Sequence, residues 1–183
     1  CPQKLEYHLM FLMIVFLKYL KGISVANRSI AILGKPNVGK STLFNRLVGS
    51  RKSIVSPTEG VTRDRIYSNF EWEGELIDII DTGGFLPKQD DIINKQIRHQ
   101  AQLAIDESDL IIFLVDGLIE ITASDRILAD MLKRSQKPSI LVVNKIDNFE
   151  KKDLINNFFE LGLGEPIPVS ASHGLNIGEM LDV

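Results

Sequence analysis

Cysteine is almost absent from this 183-residue chain: the single residue is Cys1, which excludes an internal disulfide framework and any cysteine-built zinc site. A reducing cytoplasm fits that composition without being demanded by it. A basic excess is lacking as well. The formal net charge is −3, and residues 1–27 carry +2 of it (Lys4, Lys18 and Lys21 against Glu6), so the remainder carries −3 − (+2) = −5. The main body therefore has no overall electrostatic footprint for nucleic acid, and RNA binding would need a local patch or another domain. Long apolar runs are missing too. The run at 9–17 is stopped by Lys18 before it reaches the roughly 18 residues of a spanning helix. No internal repeat or low-complexity segment is visible, and the length suits one domain with one substantial core.

Residues 1–27 form an apolar extension of uncertain origin. The run has the length of a signal-peptide core, yet no small-x-small cleavage site follows it. Three readings stay open: an upstream extension or misplaced start, an interfacial anchor, and a packed helix. The chain as a whole reads as a fragment, with a domain over 28–183 that is truncated at its C-terminus.

From Arg28 onward, apolar strand-like runs alternate with helical stretches, the pattern of an α/β fold on a mainly parallel sheet. Strands are expected at 29–33, 65–72, 76–80, 110–115, 139–143 and 167–169. Helices are expected at 40–48, 92–107, 123–134 and 152–161, with a last one starting near Asn176. Gly74 closes a hairpin between the second and third strands, so one strand should run antiparallel to the rest.

The sharpest local signal is Gly34-Lys35-Pro36-Asn37-Val38-Gly39-Lys40-Ser41, a GxxxxGK[ST] phosphate loop set between a predicted strand and a predicted helix. Its glycines let the backbone wrap so that successive N–H groups face a phosphate, and the helix offers the same anion its positive end. Lys40 should reach the β- and γ-phosphates, Ser41 should ligate Mg²⁺, and Thr42 continues the nucleotide-binding segment. Asn144-Lys145-Ile146-Asp147 follows an apolar strand and would overhang the same cleft. A carboxylate at Asp147 can accept from guanine N1–H and its exocyclic amine, which adenine cannot offer. Asn144 would brace the loop and meet the acceptor edge of the base, while the Lys145 stem covers its face. Asp81-Thr82-Gly83-Gly84 ends another strand, placing Asp81 where a carboxylate holds Mg²⁺ through water and the Gly84 N–H where it meets a γ-phosphate. The fold class expected is thus a P-loop α/β domain of the Ras-like G type, with a six-stranded, mostly parallel sheet flanked by helices.

These elements resemble the translation-factor class of GTPases, and the similarity to the Der (EngA) family, among the TrmE–Era–EngA-like GTPases, extends further. It rests on Thr58-Glu59-Gly60-Val61-Thr62-Arg63-Asp64, the Asp81-Thr82-Gly83-Gly84 turn, Gln100-Ala101-Gln102-Leu103-Ala104-Ile105, Leu114-Val115-Asp116-Gly117, and Lys137-Pro138 leading into Val142-Val143-Asn144-Lys145-Ile146-Asp147. It covers 28–183 and matches the first GTPase domain of that family; the family's second GTPase domain and KH-like domain are not in this sequence. The resemblance implies that Thr62 joins the Mg²⁺ shell and senses the γ-phosphate, and that backbone groups of Ser170-Ala171-Ser172 meet guanine O6. It also implies a cytoplasmic switch in assembly of the large ribosomal subunit, reached through the missing domains and not through a membrane. Phe85 stands where Ras-like switches carry a water-orienting glutamine, and the resemblance implies a K⁺ ion near the phosphates, held in part by Asn37.

Rivals stay open at this point: an Era- or MnmE-like GTPase of RNA maturation or modification, a nucleotide-dependent binding module with negligible hydrolysis, and an ATP-using enzyme. His99 has no metal-binding neighbours in its helix and reads as a surface residue; His173 is assigned no catalytic role. Phe70 and Trp72 alternate with polar residues and read as core or sheet-face residues.

Overall fold

The computed structural model describes residues 28–49, 66–81, 90–147 and 155–183. Expectations that fall on 1–27, on Thr62, Gly84 and Phe85, and on the switch segments around them lie outside the described residues. In chain order the elements are β1 (Arg28–Leu33), α1 (Lys40–Gly49), β2 (Ile66–Trp72), β3 (Glu75–Asp81), α2 (Asp90–Glu107), β4 (Leu110–Asp116), α3 (Ala123–Ser135), β5 (Ser139–Asn144), a 3₁₀ helix (Asn156–Leu161), β6 (Ile167–Pro168) and α4 (Ile177–Leu181). The sheet runs β2-β3-β1-β4-β5-β6. All neighbours are parallel except β2 and β3, which form the expected hairpin. Glu73 (φ 49°) and Gly74 (φ 84°) both take left-handed backbone between Trp72 and Glu75. That double positive φ is the type I′ condition, whose twist matches the strands it joins.

The central strand β4, Leu-Ile-Ile-Phe-Leu-Val-Asp, is covered on both faces, which is why it reads as an unbroken apolar run. Its period of two divides it between two cores. Ile111, Phe113 and Val115 pack with Leu128, Ala129 and Leu132 of α3, and with Ala101 and Ile105 of α2. Ile112 and Leu114 pack on the other face with Leu43, Phe44 and Leu47 of α1 and Met180 of α4. Each of the Val, Leu, Ile, Phe and Met side chains among them stabilises the fold by roughly 1.5–3 kcal/mol when fully buried, relative to exposure. Phe70 joins the α1-side core, with Trp72 partly buried against it, and His99 is exposed. No helix among the described residues is long and apolar enough to cross a membrane.

One element differs from expectation. The described part of the helix expected at 152–161 is 3₁₀ over Asn156–Leu161 and ends on Gly162 in left-handed conformation. Ile155, Phe158 and Leu161 are all buried in the α3-side core while Phe159 is exposed. A three-residue spacing lines up on one face only when the turn tightens to three residues, so core packing selects 3₁₀ over α here. Asn156 and Asn157 have little α-helix preference with which to resist it.

Candidate functional site

In the parallel part of the sheet the carboxyl ends of β1, β3, β4 and β5 share one edge. The helices after them leave on opposite faces: α1 on one, α2 and α3 on the other. Strand β1 sits where this changeover occurs, so its carboxyl end opens into a crevice instead of being capped. The phosphate loop, residues 34–39, leaves β1 there. Its sharp turns use positive φ at Asn37 (66°) and Gly39 (101°). Asparagine tolerates left-handed backbone better than most residues, and glycine without cost.

Two glycines of this loop are fixed by contact. A Cβ on Gly34 would lie 2.3 Å from the carbonyl oxygen of Leu114, and one on Gly39 would lie 2.3 Å from Asn144 Nδ2. The first neighbour is rigid backbone of the central strand. Gly34→Ala should therefore destabilise the domain by about 1–3 kcal/mol, whereas Gly49→Ala, with nothing within 4 Å of its Cβ, should not. Urea-unfolding midpoints at unchanged slope would measure the difference; equal midpoints would show that the phosphate loop is free to back away from β4.

Lys40 opens α1 and is buried, donating from Nζ at 2.8 Å to the carbonyls of Gly34 and of Lys35. Burial pushes its ammonium below the usual lysine value, and the charge of Asp81 partly offsets this. Ser41 Oγ donates to Asp81 Oδ2 at 3.1 Å, and register across the sheet sets Asp81 opposite Ile32 of β1. A hydroxyl and a carboxylate side by side are the hard oxygen donors Mg²⁺ prefers; Ser41 would hold the ion directly and Asp81 through water. Among the described residues there is no cluster of three or more His, Cys, Asp or Glu able to hold a metal alone. The donor set therefore fits a hard cation that takes its remaining ligands from phosphate and water. Asn37 is exposed on the rim, and its backbone carbonyl accepts from Lys145 Nζ at 3.0 Å.

The loops after β5 and β6 close the other side. Asn144, buried at the end of β5, donates Nδ2–H to the Val38 carbonyl at 2.8 Å and accepts from the Ala171 N–H at 2.9 Å. One carboxamide thus ties the phosphate loop to the 170–172 segment. Lys145 takes positive φ (71°), unusual for a lysine, and its ammonium bridges Asn37 O and Asp116 Oδ2, the latter at 2.6 Å. Asp147 is half-exposed and accepts at Oδ1 from Ser170 Oγ, 2.7 Å away. Ser170 and Ala171 are themselves buried.

The structure brings together Gly34, Val38, Gly39, Lys40, Ser41, Asp81, Asn144, Lys145, Asp147, Ser170 and Ala171 around this edge, with Pro36 and Asn37 exposed on the loop. Lys35 is placed differently by side chain. Its Nζ donates to Asp125 Oδ2 at 2.7 Å and to Thr122 Oγ1 at 3.1 Å, beneath the capping box that starts α3. Thr42 is exposed and lines a cavity of about 440 Å³ with Asn45, Arg46, Gly49, Ala171 and Ser172. Asp125 and Arg46 were not singled out by sequence, Asp116 entered only within the Leu114–Gly117 stretch of the family resemblance, and His173 was assigned no catalytic role. Arg46 donates Nε–H to the Ala171 carbonyl at 2.9 Å and also donates to that of Ser172. Only Asp116 carried a local signal, an aspartate ending an apolar strand just before a glycine.

With this fold and this cleft, the chain belongs to the 50S ribosome-binding GTPase family, whose model matches residues 29–145. Within it, the chain is 56% identical over 154 residues to GTPase Der of Caldicellulosiruptor saccharolyticus, covering 84% of this chain and 35% of that protein. GTPase Der of Enterococcus faecalis is 56% identical over 158 residues, covering 86% and 36%. The chain thus spans about a third of the length of the curated relatives it matches. Among solved structures, Era in complex with MgGDPNP and 16S ribosomal RNA aligns with TM-score 0.66 at 34% identity, covering 87% of this chain and 56% of that one. The Ras-like G-domain architecture is shared.

Proposed function

We propose that this chain is a guanine-nucleotide switch domain that binds GTP and GDP with Mg²⁺ and hydrolyses GTP to GDP and phosphate. The observation that carries the reading is the Asn144 bridge, which holds the phosphate loop at Val38 and the base-side segment at Ala171 in one unit. Phosphate and base would then be read by parts that cannot move independently.

In this reading the phosphate loop wraps the β-phosphate, and Lys40 exchanges its loop carbonyls for β- and γ-oxygens. Ser41 and Asp81, with Thr62, would hold Mg²⁺, which supplies neutralisation of charge developing on the phosphates. The Gly84 N–H would meet the γ-phosphate. A water oxygen bonds to the γ-phosphorus as the bond to the β–γ bridging oxygen breaks, and the water's proton is released with phosphate. Among the described residues no side chain in the cleft is placed as a general base, so in this reading positioning and electrostatics carry the rate. Asp147 would take N1–H and the exocyclic amine of guanine, Lys145 would lie along the base, and backbone of Ser170–Ser172 would face O6.

Asn37 would contribute its side-chain oxygen to a K⁺ ion beside the phosphates; Phe85 in place of a glutamine and the exposure of Asn37 support this part. The test is single-turnover cleavage of GTP and ATP with Mg²⁺, in K⁺ and in Na⁺. Cleavage of GTP alone, faster in K⁺, is expected. No cleavage would leave a binding module, and equal rates in the two salts would remove the K⁺ role. Similarity to GTPase Der and the family's ribosome-binding character support a role as a switch in large-subunit assembly, exerted with further domains of a longer protein.

A further inference from the structure

Asp147, the carboxylate proposed to read guanine, is the end of a chain of hydrogen bonds that starts at His173. Ser170 Oγ lies 2.7 Å from Asp147 Oδ1 and 2.9 Å from His173 Nδ1. The same ring nitrogen lies 3.3 Å from Asp147 Oδ1 and 3.1 Å from Ser172 Oγ. A serine hydroxyl has one proton, and the shortest, charge-assisted partner for it is the carboxylate. With that proton on the carboxylate side, Ser170 Oγ accepts from His173 when Nδ1 carries a hydrogen; the Ser172 hydroxyl, 3.2 Å away, is the other donor within reach. The neutral Nδ1–H tautomer and the imidazolium both satisfy this.

The backbone supports the same arrangement. The His173 N–H points to Ser170 Oγ at 3.4 Å, and the Gly174 N–H donates to the Ser170 carbonyl at 2.7 Å, closing a tight turn that brings the imidazole back over Ser170. Glycine at 174 has φ 76°. The turn is held from the other side by Arg46, whose guanidinium donates to the Ala171 and Ser172 carbonyls.

We propose that His173 is a positioning residue for guanine selectivity: through Ser170 it fixes the rotamer of Asp147 so that both carboxylate oxygens present to the base. This rests on the reading of Asp147 as the guanine acceptor. His173 need not touch the nucleotide. The effect is specific to a ligand that engages the carboxylate twice. Guanine does so through N1–H and its amine, whereas hypoxanthine, lacking the amine, does so once.

The test is binding of GDP and IDP to the wild-type protein and to His173→Ala and His173→Asn. Asparagine places an amide N–H where Nδ1–H stands, so it can restore the donor to Ser170. For His173→Ala the GDP dissociation constant should rise about three- to tenfold, in line with loss of one hydrogen bond, with a smaller rise for IDP, so the GDP/IDP preference contracts. His173→Asn should recover the wild-type preference. A merely structural role in the turn would weaken both nucleotides equally and leave the ratio unmoved; that result, or an Asn variant no better than Ala, overturns the role of His173. A wild-type protein that binds GDP no better than IDP overturns the guanine reading of Asp147, and this proposal with it.

Discussion

Asp147→Asn should lower GDP affinity by on the order of 10²- to 10⁴-fold, as two hydrogen bonds to a charged acceptor are lost. An asparagine can keep one acceptor, but its amide nitrogen then faces the guanine amine donor to donor. The same substitution should raise affinity for xanthosine diphosphate, whose C2 carbonyl accepts where guanine donates. Asp147 is half-exposed and its loop is held independently by Asn144, so the fold should survive. Titration of the variant with GDP and with xanthosine diphosphate provides the check. A variant that still prefers GDP would mean that the base lies elsewhere.

Lys40→Met should lower affinity for GDP and GTP together by on the order of 30- to several-thousand-fold, because a buried charged contact to phosphate is truncated at about 2–5 kcal/mol. Methionine keeps much of the aliphatic stem and removes the ammonium. Two loop carbonyls, of Gly34 and Lys35, lose their donor at the same time. Burial already disfavours the charged form of Lys40, with Asp81 as the compensating neighbour. A bound phosphate would add a far stronger compensation, which is why the substitution should affect binding more than stability. Paired measurements of nucleotide affinity and urea midpoint separate the two; a large stability loss with little change in affinity would show Lys40 to be a structural strut.

Much of the fold was legible because its signals are local. An apolar strand such as β4, a glycine-bounded phosphate loop and a Glu-Gly hairpin turn are each written within a few neighbouring residues. Asn144 was readable for the same reason, since it follows its strand directly. The side-chain partners were not. Lys35 finds Asp125 ninety positions away, and Arg46 finds Ala171 at 125. These contacts exist because loops from different strands converge on one edge of the sheet, and spacing along the chain carries no trace of that convergence. His173 was given no catalytic role because a histidine in a small-residue turn has no local pattern to mark its partners. The 3₁₀ helix failed for another reason: Ile155, Phe158 and Leu161 suit either helix type until the core chooses between them.

The placement of Lys35 has a mechanical side. Its ammonium is pinned to Asp125 and Thr122 at the head of α3, while its carbonyl receives the ammonium of Lys40. One residue is therefore both the bolt of a helix and a seat of the phosphate-binding lysine. Of the three hydrogen bonds that define these two attachments, none exceeds 3.1 Å, so there is little slack between them. A pull on the head of α3 would reach the phosphate loop within a single residue, without passing through the sheet.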